Sequence, residues 1–152
     1  MADMIYLFAP PTLALIGNCV TPFIYSITCP EVWFAPPKLL CAIVYISICF
    51  LQGLTIKRSK EIDNTDIFIL TWILVFLNLL WPIIMKYNKK YIIIVLFFNL
   101  LFAYYVYNEI FLSRLTDNEN TLYLNMYSTY IVWLGFMITM VFEVYSGKNI
   151  KN

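Results

Sequence analysis

The sequence predicts an all-α membrane protein, a five-transmembrane-helix bundle forming one domain over residues 1–152, and three observations carry that expectation. First, 62% of the residues are hydrophobic and only 12% are charged, whereas a water-soluble domain carries about 25% charged residues. So little charge cannot coat a core this apolar, and lipid must be the solvent for much of the surface. Second, five apolar stretches each approach the ~20 residues a helix needs to cross the hydrocarbon. Third, aromatic residues reach 18%, with 12 Tyr and 4 Trp, which suits a chain that meets two membrane interfaces. No internal repeat, long linker or low-complexity tail interrupts the pattern.

The first helix is expected from about Met4 to Ile27, with kinks at Pro10, Pro11 and Pro22. Membrane helices tolerate such breaks where neighbours re-satisfy the freed backbone groups. Met1-Ala2-Asp3-Met4 lacks the basic region and cleavage site of a secretory signal, so this stretch reads as a retained span. The second helix is expected from about Pro37 to Ile56, stopped by Lys57-Arg58-Ser59-Lys60. The third runs from about Asp66 to Met85: Asn64 and Thr65 are natural N-caps, and Asp66 suits the positive end of the helix dipole. The fourth runs from about Tyr91 to Leu112 and the fifth from about Leu122 to Tyr145, with a polar, turn-rich connection over Arg114 to Thr121.

Five crossings put the termini on opposite sides. The N-terminal side then carries Lys57, Arg58, Lys60 and Arg114, and the other side Lys38, Lys86, Lys89, Lys90, Lys148 and Lys151, which favours a cytosolic C-terminus.

Charge and residue types also narrow the function. The net charge is +1, so no nucleic-acid partner is expected. Cys19, Cys29, Cys41 and Cys49 form no Cys-x-x-Cys pair and there is no His, so no metal site is expected and the thiols in apolar runs read as small buried hydrophobes. No expected span carries a charge near its middle, which argues against an ion pump, a proton relay or a voltage sensor. A phosphate-binding glycine loop, a His-based triad and paired membrane carboxylates are missing, so the chain reads as a non-enzyme with no resident cofactor.

Polar side chains at membrane depth each need a reason. Gln52 lies late in the second helix, Asn78 and Asn99 inside the third and fourth, and Glu109 and Glu143 near helix ends. Either Asn could serve as interhelical glue, worth on the order of 1 kcal/mol, and that is the reading for Asn99. At Asn78 a second feature intervenes. Pro82 has no N–H, so the carbonyl four residues earlier, that of Asn78, loses its helical donor. An amide and an unclaimed carbonyl then share a turn beside Trp81, a polar spot suited to facing a ligand.

Four ordered motifs resemble the translocator protein family (TspO/MBR, the peripheral-type benzodiazepine receptor). They are Trp33-Phe34-Ala35-Pro36-Pro37 before the second helix, Tyr45 eight residues after the Pro-Pro, Asn78-Leu79-Leu80-Trp81-Pro82, and Tyr130-Ile131-Val132-Trp133-Leu134-Gly135-Phe136. The family carries an aromatic-x-Pro-Pro lead-in with a Trp eight residues on, Asn-x-x-Trp-Pro, and Tyr-x-x-Trp-Leu-x-Phe, in a chain of five helices. This chain departs in a short first loop, Thr28 to Pro36, in Tyr45 for the helix-two Trp, in Ile83 for a second Pro, and in Val141 for a late Asn.

The resemblance implies a pocket inside the bundle for a hydrophobic ring ligand, of the porphyrin/tetrapyrrole, benzodiazepine or sterol (cholesterol) class. Phe34, Pro36, Tyr45, Asn78, Trp81, Trp133 and Phe136 would line it. It also implies binding, transport or sensing rather than turnover, membrane lipid as a second partner, and a homodimer. The location implied is a mitochondrial outer membrane or other intracellular membrane in a eukaryotic or viral setting, or a bacterial outer membrane. A Val141 or Val144, Tyr145, Lys148 pattern of cholesterol type reads as an interface anchor. The competing reading is a structural or assembly membrane protein whose aromatic residues only fill the core.

Overall fold

A computed structural model describes the backbone of residues 2–20, 36–87, 91–112 and 117–146, and side chains over 4–14, 36–37, 39–80, 83–84, 91–112 and 121–143. The described chain is all-helical. Its five helices are α1 (Ala2–Val20), α2 (Lys38–Glu61), α3 (Thr65–Tyr87), α4 (Ile92–Leu112) and α5 (Asp117–Ser146). Three contain stretches long and apolar enough to cross a membrane: Leu39–Glu61 in α2, Ile92–Leu112 in α4 and Thr121–Glu143 in α5. The described apolar stretches of α1 and α3, Met4–Ala14 and Thr65–Leu80, are shorter.

Two expected boundaries are corrected. The charged run after Ile56 does not stop α2, which continues through it to Glu61. Lys57 and Arg58 reach Glu61 at 3.7 and 2.9 Å, i,i+4 and i,i+3 pairs that a continuing helix brings onto one face. The polar stretch before the fifth helix is partly helical, since α5 begins at Asp117. The expected end of the first helix, residues 21–27, lies outside the described residues, and α1 is helical through Pro10 and Pro11.

The α2–α3 connection is a tight hairpin. Asp63 takes a left-handed conformation, φ 56°. Asn64 N–H donates to the Ser59 carbonyl at 2.9 Å and Asp63 N–H to that of Lys60 at 3.4 Å, the double bond of a Schellman C-cap. Asn64 then caps α3, its Oδ1 accepting from Ile67 N–H at 3.0 Å, as its residue type predicts. At the same end, the Lys60 ammonium lies 5.3 Å from the centroids of both Tyr6 and Phe68. These two rings stand edge to face at 6.2 Å, so the start of α1 is fastened to the hairpin.

Successive helices pack on one another, with α1 also touching α3 and α2 touching α5 only lightly. On α4 the buried residues Ile92, Val95, Leu96, Asn99, Ala103, Val106 and Ile110 recur at helical spacing along one face. Ile94, Phe97, Phe98, Leu101, Tyr104 and Tyr105 lie exposed on the other. Large apolar groups outside and polar groups inside reverse the pattern of a soluble helix and fit a lipid solvent. The main core joins α2, α3, α4 and α5, and a smaller cluster of Ala14, Tyr45 and Cys49, with Leu79 against it, joins α1 to α2 and α3.

A close approach of two helix backbones lies at Gly53. A Cβ there would overlap the Leu7 carbonyl oxygen, so only glycine lets the backbones of α1 and α2 come this close.

Candidate functional site

Each side chain of the site is delivered by a different helix. Pro82 leaves the Asn78 carbonyl without an α-helical donor, and the Tyr45 hydroxyl of α2 takes that place, donating to it at 3.1 Å. The Asn78 side chain turns into the bundle, where it joins Asn99 of α4 and Tyr130 of α5. Asn78 Nδ2 donates to the Tyr130 hydroxyl oxygen at 3.0 Å. Tyr130 O–H donates to Asn99 Oδ1 at 2.8 Å, the shorter of its two acceptors (Asn78 Oδ1 lies at 3.2 Å). Asn99 Nδ2 donates to Asn78 Oδ1 at 2.6 Å.

The three side chains thus close a ring in which each gives one hydrogen bond and takes one. Such rings reinforce themselves, because each bond polarises the next. Burial makes them costly to break: Asn99 is 0% exposed, Tyr130 2%, Asn78 4% and Tyr45 8%. In this low-dielectric interior an amide or hydroxyl left without a partner costs about 1–3 kcal/mol. Four neutral groups of this kind can hold, orient and hydrogen-bond.

The aromatic members of the expected site fall into place unevenly. Tyr45 and Asn78 are brought together. Trp133 lies one turn beyond Tyr130 and packs with Phe136, ring centroids 5.7 Å apart and planes at 36°. Both rings are half-buried against the main core. Trp81 sits in α3 a turn after Asn78, with its side chain outside the described set. Pro36 is half-buried immediately before α2, and Phe34 falls outside the described residues. Cys41 and Cys49 are buried thiols, as their apolar surroundings predict.

Two members of the site were missing from the expected set: Asn99, read as interhelical glue, and Tyr130. Tyr130 belongs to the helix-five motif, but its role as the link between the two asparagines depends on its hydroxyl. The available signal was a polar-tipped ring in an apolar span, which normally finds a partner when buried.

No family model, curated protein or solved structure matches this chain.

Proposed function

We propose that this chain is a five-crossing, TspO/MBR-like membrane protein that binds a hydrophobic ring compound of the porphyrin or sterol class, in order to sequester, move or sense it. One observation supports the reading above the others: Tyr45, Asn78 and Tyr130, drawn from three of the four motifs behind the resemblance, meet in a single hydrogen-bonded constellation. Motifs that only filled a core would have no reason to converge on one polar point. In this reading Asn78 is a positioning residue, since its carbonyl, amide nitrogen and amide oxygen are all engaged by protein. It fixes the Tyr45 and Tyr130 rings, while Trp81, Trp133 and Phe136 supply flat faces for the ligand. Aromatic stacking contributes about 0.5–1.5 kcal/mol per ring pair beyond burial.

The same saturation of Asn78 favours a second reading, a structural or assembly protein in which the ring and the Tyr45 bond serve only to lock four helices. Titration of the detergent-solubilised chain with protoporphyrin, followed by Trp fluorescence, separates the two. The binding reading expects saturable quenching, weakened at least about tenfold (about 1.4 kcal/mol) by Trp81→Ala or Trp133→Ala. Quenching that never saturates, or that is indifferent to both substitutions, leaves the structural reading standing.

A further inference from the structure

The bundle contains a second polar locus, independent of the ring-ligand reading. Gln52, 0% exposed, has no hydrogen-bond partner for either Nε2 or Oε1 among the described residues. The Tyr127 hydroxyl, also on a residue 0% exposed, has none either. It lies beside Thr55 and Thr71, whose protons go back along their own helices, to the Leu51 carbonyl at 2.9 Å and the Ile67 carbonyl at 2.7 Å; they offer Tyr127 lone pairs only, so its hydroxyl oxygen keeps its capacity to accept from a water. Burying a carboxamide with no partner costs several kcal/mol, about 2–7 depending on the reference state, so a partner is required.

The surroundings indicate what it is. A small cavity of about 10 Å³ lies beside the α2–α3 hairpin, walled by Thr55, Ser59, Tyr123 and Arg58, with Ile67 and Ile110 as its apolar side. That is room for about one water molecule. Arg58 is 26% exposed in its side chain, so the cavity reaches the polar end of the bundle. From it, polar groups continue inward on two helices. Gln52 is one turn deeper than Thr55, about 4.5 Å along α2, and Tyr127 is one turn deeper than Tyr123 on α5. Beyond them stands Tyr130, its ring centroid 6.2 Å from that of Tyr127, already engaged in the Asn78 ring.

We propose that the Gln52–Tyr127 seam between α2 and α5 is an internal water site, filled from the interface through the Thr55–Ser59–Tyr123 cavity and ending at the closed Asn78 ring. It is a blind inlet of about two waters and no through-channel, because the Tyr130 hydroxyl at its inner end already donates to Asn99 and accepts from Asn78.

The test uses the full chain in lipid bilayers. Gln52 is the only glutamine, so a side-chain ¹⁵N-glutamine label gives one signal, and water-edited solid-state NMR measures how fast it gains magnetisation from water. The expected build-up is within about threefold of that at interfacial Asn64. A build-up as slow as that of the buried Leu74 methyls overturns the proposal. Ser59→Val, which fills the cavity, should slow the transfer at least about threefold, and an unchanged rate overturns the access route. Gln52→Met removes the amide and its waters together, so the unfolding temperature should hold or rise. A fall of more than about 5 °C would mean that protein groups, not waters, had satisfied the amide.

Discussion

Pro11 and Pro82 each deprive a carbonyl one turn upstream of its helical donor, and the bundle turns both carbonyls against α2. That of Leu7 packs on Gly53, and that of Asn78 accepts from Tyr45. The second could be anticipated, since a missing N–H is a covalent fact visible in Asn78-Leu79-Leu80-Trp81-Pro82. What could not be anticipated is the ring. Asn99 and Tyr130 lie 21 and 52 residues from Asn78, and their meeting depends on how three helices are rotated, which no local pattern fixes. The two kinds of bond should respond differently to mutation. Tyr45→Phe removes a single hydrogen bond and is expected to cost about 1 kcal/mol. Tyr130→Phe opens the ring and leaves Asn78 Nδ2 and Asn99 Oδ1 without partners, for an expected cost of about 2–3 kcal/mol. Reversible unfolding in mixed micelles measures both. Equal costs would show that the ring has no cooperative character.

At the scale of the helix, cap residues are local chemistry and were legible: Asn64 caps α3 as its type demands. The expected stop at Lys57-Arg58-Ser59-Lys60 did not hold because charge does not break a helix. Long basic side chains extend to the interface while the backbone continues to Glu61, and Asp63, not the charges, turns the chain. A residue with a Cβ is strained in that left-handed conformation. Asp63→Gly should therefore stabilise the hairpin by about 0.5–1 kcal/mol, read as a higher unfolding temperature. Gly53→Ala should act in the opposite direction, because the added methyl meets backbone, which cannot rotate away. Its expected signature is local: protease cleavage within α1 at concentrations that leave the parent chain intact, with α3, α4 and α5 still protected. Cleavage spread evenly over the bundle would show that α1 is not held through this contact.

For the whole molecule, composition was enough to specify helices in lipid, because solvent choice is a property of the summed surface. The arrangement of those helices was less legible, since nearly every face of an apolar span looks alike in sequence. The structure supplies one constraint that bears on how many helices cross. Lys60 at the end of α2 lies over Tyr6 near the start of α1 and over Phe68 in the second turn of α3. The N-terminus and the α2–α3 hairpin thus occupy the same end of the bundle. If α1 and α3 cross the membrane along with α2, α4 and α5, epitopes placed before α1 and in the hairpin must face the same compartment, with the C-terminus facing the other. If only the three helices with long apolar stretches cross, the single passage of α2 would put the hairpin opposite the N-terminus, and the C-terminus would be opposite it in either case. The hairpin is therefore the informative position. Protease protection of tags at the three sites in sealed vesicles should show the N-terminal and hairpin tags cleaved or protected together. A hairpin tag that instead behaves like the C-terminal one would remove the five-crossing arrangement, and with it the bundle interior in which a ring ligand could sit.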